Sequence, residues 1–176
     1  MSRRTLMSLV ALVGLTCAGC GPDVNEGPGS YAATVKVQQS AEEFFKSKGA
    51  TLTRKHFPPG DAWVVNLSGK EVTDETFQKL EELDHVAELN LSGTAVTDAQ
   101  MKLINNQEVG GLLVDLDISK TGITDAGLKE FTVARFLMKL SIAGSKITDQ
   151  GLKAWQADRK ANGNIQPQFR NPKITK

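Results

Sequence analysis

A short motif recurs four times along the chain and constrains its fold more than any other feature. Each copy reads Val-Thr-Asp or Ile-Thr-Asp, follows a strand-like segment and precedes a helix-like one. The aspartates that mark the register are Asp74, Asp98, Asp125 and Asp149, spaced by 24, 27 and 24 residues. A period of about 20 to 29 residues indicates a repeat architecture, in which each unit buries its apolar side against its neighbours.

The apolar residues around the motif have two different spacings. Pairs two residues apart are typical of a strand; they are Val65 and Leu67, Leu89 and Leu91, Leu116 and Ile118, and Leu140 and Ile142. A second pair three residues apart, such as Leu128 and Phe131, is typical of a helix. Each unit is therefore predicted to be a strand, a tight loop, a helix and a return segment. Stacking such units places parallel strands on one face and helices on the other.

The stretch from Leu116 to Phe131 resembles the repeat of the leucine-rich-repeat superfamily. It is most similar to the cysteine-containing subtype, with a hydroxyl residue at the cysteine position, and the similarity extends over residues 35–165. The resemblance implies an α/β fold, a right-handed solenoid of about four repeats with an N-terminal cap, and a role in binding rather than catalysis. Many bacterial envelope lipoproteins look like this chain, with a short capping helix, a few repeats and a lipobox.

The N-terminus has the features of an export signal. Arg3 and Arg4 precede the apolar run Leu6–Leu15, which is far shorter than the ~20 residues of a membrane-spanning helix. Small residues before Cys20 resemble a lipobox, in which this cysteine is diacylated, although Cys17 stands where the usual leucine would be. Lipidation of Cys20 is therefore predicted. The alternatives are an ordinary secretory signal and an uncleaved apolar segment, and the paired arginines leave a twin-arginine export route open.

These features divide the chain into five predicted parts. A Gly- and Pro-rich stretch is predicted to be a flexible tether. A helix followed by a strand is expected to cover the first repeat. The predicted parts are a signal peptide at 1–19, a tether at 20–33, an N-terminal cap at 34–61, four repeats at 62–157 and a C-terminal cap or tail at 158–176. Within the cap, the helix is predicted at 34–48 and the strand at 50–54, before a Pro-Pro-Gly-Asp turn.

Composition excludes several classes of function. Without residues 1–19 the chain has 19 basic and 20 acidic residues, so its total charge predicts neither nucleic acid nor an anionic membrane as a partner. Both cysteines lie in the signal region, which excludes a disulfide framework and thiolate sites in the body. His56 and His85, the two histidines, belong to no known catalytic motif. We therefore predict no catalytic residue, cofactor, metal ligand or small-molecule substrate.

The threonines and aspartates of the recurring motif are predicted to begin the helices. A threonine hydroxyl caps free backbone N–H groups, and an aspartate at the next position meets the positive end of the helix dipole. The residues concerned are Thr73, Asp74, Thr97, Asp98, Thr124, Asp125, Thr148 and Asp149. A ladder of carboxylates that binds calcium is the alternative. Capping is favoured because calcium loops supply several oxygen ligands per turn from a Gly-rich repeat, and this sequence has neither feature.

The side chains between the inward-facing strand residues are predicted to form an exposed binding surface, the open face. Its residues are Asn66, Glu88, Asn90, Asp115, Asp117, Lys139 and Ser141. The surface is polar and mildly acidic and has few of the aromatic anchors that usually carry affinity. The sequence thus predicts a lipid-anchored, exported, non-catalytic module of the bacterial cell envelope that binds a protein. A self-associating structural component of the envelope is the alternative, and a metal-dependent or enzymatic site is a third hypothesis.

Overall fold

The computed structural model describes residues 31–57, 60–105, 110–131 and 134–176. The predicted signal peptide, Cys20 and most of the predicted tether lie outside the described residues. The helices are α1 (Tyr31–Ser47), α2 (Asp74–Glu82), α3 (Asp98–Ile104), α4 (Asp125–Glu130) and α5 (Asp149–Ala161). The strands are β1 (Thr51–Phe57), β2 (Gly60–Asn66), β3 (Val86–Asn90), β4 (Asp115–Asp117), β5 (Lys139–Ser141) and β6 (Lys173–Thr175).

The six strands of the described part form one sheet in the order β1-β2-β3-β4-β5-β6. The first pair, β1 and β2, is an antiparallel hairpin, and the remaining pairs are parallel. Parallel neighbours need a crossover connection, which α2, α3, α4 and α5 provide. Successive helices pack against one another, as successive strands do. This α/β arrangement with a mostly parallel sheet is compatible with the fold that the sequence resemblance implies.

The core lies between the sheet and the helices. The strand pairs that the sequence predicts to point inward are all buried, and so are the helical pairs. The residues of this second set are Phe77 and Leu80, Met101 and Ile104, Leu128 and Phe131, and Leu152 and Trp155. Phe131 lies immediately after the end of α4, and the others lie within the helices. Each large apolar side chain that is fully buried stabilises the folded state by about 1.5–3 kcal/mol relative to an exposed one. Residues 31–176 contain no cysteine, so this core holds the folded body together.

The turn that follows each parallel strand needs one residue in the left-handed region. Gly69, Gly93 and Gly144 fill this position with φ values of 64°, 66° and 69°. In the third unit the position is taken by Lys120, with a φ of 53°. The turns are tied to one another through the backbone, because the N–H of Gly69 and that of Gly93 each donate to the next unit at 2.8 Å. A side chain with Cβ pays a steric cost there that glycine does not.

The N-terminal elements differ in extent from the sequence prediction. Helix α1 begins at Tyr31, so residues 31–33 are helical and not part of a tether. Strand β1 extends to Phe57, three residues beyond its predicted end, and β2 begins at Gly60, inside the predicted turn. Both strands are longer than expected because the hairpin pairs them along their length, with Phe57 opposite Gly60.

The C-terminal segment is structured further than its sequence suggests. Helix α5 runs to Ala161, past the predicted boundary at 157, and Ile165 behind it is buried. Strand β6 then adds to the sheet, with Ile174 opposite Leu140. It lacks the recurring motif, which is why the repeat pattern did not predict it. Its Lys-Ile-Thr nevertheless alternates as Lys-Leu-Ser does in β5.

A buried arginine fixes this C-terminal segment to the last unit. The guanidinium of Arg159 donates to the carbonyl oxygens of Ala134 at 2.7 Å and Phe169 at 2.6 Å. It also lies over the ring of Trp155, 4.9 Å from the centroid. Burial lowers the pKa of Arg159 to about 10, so the group keeps its charge at neutral pH. A charged donor that satisfies two carbonyl groups from separate segments holds those segments in place.

Candidate functional site

Each threonine of the recurring motif stands immediately before a helix. Thr73, Thr97, Thr124 and Thr148 have extended backbone, and α2, α3, α4 and α5 begin at the next residue. The hydroxyl of Thr124 accepts from the N–H of Ala126 at 3.2 Å, and that of Thr148 accepts from the N–H of Gly151 at 3.1 Å. Free N–H groups at a helix start need such acceptors.

The aspartate of one unit also binds the threonine of the next unit. Asp98 accepts hydrogen bonds from the N–H of Thr124 at 2.8 Å and from its hydroxyl at 2.6 Å. Asp125 accepts the same pair from Thr148, at 2.7 Å and 2.6 Å. The sequence predicted only an interaction of each aspartate with its own helix dipole. The carboxylates therefore join consecutive units, a role that was not predicted from the sequence.

Two glycines leave room for these carboxylates. A Cβ added to Gly127 would lie 2.3 Å from Oδ1 of Asp98, and one added to Gly151 would lie 2.0 Å from Cγ of Asp125. Neither distance is compatible with a real side chain. The signal was present in the sequence as Thr-Asp-x-Gly, which occurs only in the third and fourth copies.

In the second unit, a glutamine side chain connects the threonine to the aspartate of the preceding unit. Gln100 stands where the later units have glycine, and its Oε1 accepts from the N–H of Thr97 at 3.1 Å and from its hydroxyl at 2.7 Å. The amide Nε2 of Gln100 then donates to Asp74 at 3.0 Å. The glutamine thus lies between the threonine and the aspartate and satisfies both.

The first and last copies of the recurring motif differ, because each lacks a neighbouring unit on one side. In the first unit the hydroxyl of Thr76 accepts from the N–H of Thr73 at 3.0 Å. In the last unit Asp149 pairs with Lys176, whose ammonium group lowers the pKa of Asp149. All four carboxylates are therefore engaged by neighbouring side chains or backbone. Within the described ranges, no group of three or more His, Cys, Asp or Glu residues is placed to hold a metal ion.

The sheet brings the residues of the open face together in two rows. In the first row Asn66, Asn90, Asp117 and Ser141 are direct neighbours on consecutive strands. In the second row Glu88, Asp115 and Lys139 are neighbours in the same way. Strand β6 extends both rows, with Thr175 beside Ser141 and Lys173 beside Lys139. These last two residues were not predicted from the sequence, because β6 carries no recurring motif.

The first row is held by hydrogen bonds to the turns that follow. The side-chain oxygens of Asn66, Asn90 and Asp117 each accept from the backbone N–H two residues later, at 3.0, 2.9 and 2.9 Å. This is the local bonding by which Asn and Asp favour turns. Ser141 is buried, so its predicted exposure is wrong. Its side chain is shorter than those of Asn90 and Asp117 in the same row, and its direct neighbours are Asp117 on β4 and Thr175 on β6.

The second row carries exposed ion pairs. Nζ of Lys55 lies 2.8 Å from Glu88, and Nζ of Lys139 lies 2.7 Å from Asp115. The hydrogen bond to Asp115 raises the pKa of Lys139. Such surface pairs contribute about 0–1 kcal/mol each, so a partner that offers equivalent groups can replace them at little cost.

One small cavity lies beside the C-terminal segment. A cavity of about 90 Å³ adjoins Arg159 and is lined by Lys129, Phe131, Trp155, Asp158, Asn162 and Ile165. Pockets for small molecules usually measure about 300–1,000 Å³. The described helices also include none that combines the length and apolar character needed to cross a bilayer.

Comparison with known families supports the resemblance seen in the sequence. The family model described as Leucine Rich repeat matches two consecutive stretches, residues 112–131 and 133–154. The first contains β4 and α4, and the second contains β5 and the beginning of α5. No curated protein matches the chain. These matches support membership of the leucine-rich-repeat superfamily, whose domains are typically non-enzymatic modules for protein interaction.

Proposed function

We propose that this leucine-rich-repeat chain is a lipid-anchored, extracytoplasmic protein of the bacterial cell envelope that binds another protein and catalyses no reaction. The observation that carries the proposal is the pair of consecutive family matches at residues 112–131 and 133–154. The units β2–α2 and β3–α3 have the same order and register as the matched ones. We infer that all four units form one right-handed solenoid of the cysteine-containing-like subtype. Repeat proteins of this kind present surfaces rather than chemistry.

The open face is the proposed contact surface. Its first row is fixed by the hydrogen bonds from Asn66, Asn90 and Asp117 to the following turns. A surface already held in one conformation loses little entropy on binding. The carboxylates of Glu88 and Asp115 bring acidic charge to the second row, and their lysine partners are exposed. A partner with cationic and hydrogen-bonding groups matches this arrangement.

Capture experiments test the open face. Tagged protein is used to isolate partners from envelope extract, and we compare the native chain with Glu88→Lys/Asp115→Lys. A matched control, Glu71→Lys/Glu130→Lys, makes the same change in net charge at exposed positions away from the sheet. We expect at least one captured protein to be lost with the first variant and kept with the control. An unchanged set of captured proteins would count against the open face.

Metabolic labelling tests the anchor. The lipobox resemblance around Cys20 motivates this part of the proposal. Cells that express the native chain or Cys20→Ser are grown with radioactive palmitate, and the label in the purified protein is measured. We expect label in the native chain alone. Equal labelling of the two proteins would remove the lipid-anchor proposal and leave the protein-binding proposal standing.

A further inference from the structure

Charge is strongly segregated along this nearly neutral chain. Residues 135–176 contain nine basic and two acidic residues, a formal charge of +7. Residues 60–134 contain five basic and fourteen acidic residues, a formal charge of −9. The total charge conceals this division. Because the strands stack in chain order, the basic segment forms one end of the molecule.

Two large apolar side chains are exposed at this basic end. Phe136 is 39% exposed and Met138 is 55% exposed. The ring of Phe136 packs edge-on against that of Phe169, with centroids 5.5 Å apart. The backbone of Met138 accepts from the N–H of Lys173 at 2.7 Å. These residues and the neighbouring Arg135 constitute the C-terminal patch.

The cations of the C-terminal patch are available to a ligand. Arg135 and Lys173 are exposed, and neither forms an ion pair with another described residue. Exposed apolar side chains beside cations are the combination that favours the interface of an anionic bilayer. The apolar groups enter the boundary with the acyl chains, and the cations meet the headgroups.

A second copy of the chain fits the C-terminal patch poorly. Pairing two such ends would bring two segments of charge +7 together. Head-to-tail stacking is also opposed, because residues 31–57 at the other end contain five basic and two acidic residues. Like charges in contact disfavour both arrangements.

We propose that the C-terminal patch binds the surface of an anionic phospholipid bilayer. This inference rests on the membrane attachment of the proposed function. Ten residues, 21–30, separate Cys20 from the described body and span up to about 33–36 Å when extended. Six strands spaced about 4.8 Å apart place β6 about 24 Å from β1. An attached body can therefore turn its far end to the bilayer.

Lysine footprinting tests the proposal at single residues. The full chain is reconstituted with vesicles of phosphatidylcholine alone, or with vesicles that also contain about 30 mol% phosphatidylglycerol and therefore have a strongly anionic surface. The rate at which each lysine is acetylated is measured by mass spectrometry. We expect Lys173 to react about threefold or more slowly on the anionic vesicles. Lys102, exposed on α3, is the internal control and keeps its rate. Raising salt to about 1 M, where the Debye length is ~3 Å, should remove the protection.

A pair of variants separates the patch from a general membrane effect. Phe136→Ser/Met138→Ser should abolish the protection of Lys173, whereas Leu103→Ser, which removes a 37% exposed leucine on α3, should keep it. Equal rates for Lys173 on the two vesicle types would overturn the proposal. Protection by polyglutamate but not by anionic vesicles would overturn it as well and assign the patch to an acidic protein. Palmitate labelling of Cys20 is read separately, so loss of the anchor and loss of the patch are distinguishable.

Discussion

Replacing Gly151 by alanine gives the sharpest test of how consecutive units are joined. Gly151 lies in the first turn of α5, and alanine has the higher helix propensity by about 1 kcal/mol. Helix propensity alone therefore predicts that Gly151→Ala stabilises the folded protein. The structure predicts the opposite, because a Cβ at this position would lie 2.0 Å from Cγ and 2.2 Å from Oδ1 of Asp125.

The magnitude follows from the contacts that the carboxylate would lose. To avoid the new methyl group, Asp125 must rotate away from Thr148 and break hydrogen bonds of 2.7 Å and 2.6 Å. At an exposed site these contribute about 1 kcal/mol each. The loss of about 2 kcal/mol exceeds the propensity gain of about 1 kcal/mol. We expect Gly151→Ala to lower the free energy of unfolding by about 1 kcal/mol.

A double-mutant cycle identifies the carboxylate as the cause. The free energy of unfolding is measured in urea for the native chain, Gly151→Ala, Asp125→Ala and the double variant. With the carboxylate absent, Gly151→Ala should stabilise by about 0.5–1 kcal/mol, so the sign of its effect reverses. Gly163→Ala, which meets no atom within 4 Å, is a control free of steric conflict. Stabilisation by Gly151→Ala in both backgrounds would refute the reasoning.

Three further substitutions test other features of the fold. Arg159→Met leaves two carbonyl groups without their donor, and we expect a loss of about 2 kcal/mol in urea unfolding; unchanged stability would contradict this role. Lys120→Gly relieves the left-handed φ of 53° and should stabilise by about 0.5–1 kcal/mol in the same assay, whereas destabilisation would show that the lysine is not strained. The carboxyl of Asp149 should titrate below its ordinary value of 3.8 in an NMR pH titration. Since the folded pKa is lowered, the ion pair stabilises at pH above this ordinary value and is lost as pH falls through the lowered pKa. Lys176→Ala should return the midpoint toward 3.8, and an unshifted midpoint in the native chain would exclude the pair.

Much of the architecture could be read from local patterns. The apolar pairs at spacings of two and three gave the strands, the helices and the buried core, because side-chain direction follows directly from backbone geometry. The motif of threonine and aspartate gave the helix starts, since its chemistry acts within one turn of chain. Strand β6 was missed because its three residues carry no such motif and are fixed by pairing with β5.

The candidate surfaces were only partly predictable. The sequence placed Asn66, Asn90 and Asp117 in one row, but the hydrogen bonds that hold them and the burial of Ser141 depend on neighbouring strands. The C-terminal patch depends on packing too, because Phe136 and Phe169 lie far apart in sequence and meet only at the end of the sheet.

The sequence by itself determined that this chain repeats a strand, a turn and a helix, where each helix begins, and which side chains face the core. These properties depend on residues within one unit. Only the tertiary structure decided that Asp98 and Asp125 hold the next unit, that Gly127 and Gly151 make room for them, and that Phe169 and Lys173 come beside Phe136 and Met138. Such contacts join residues about one repeat apart, and they exist only once the units have stacked.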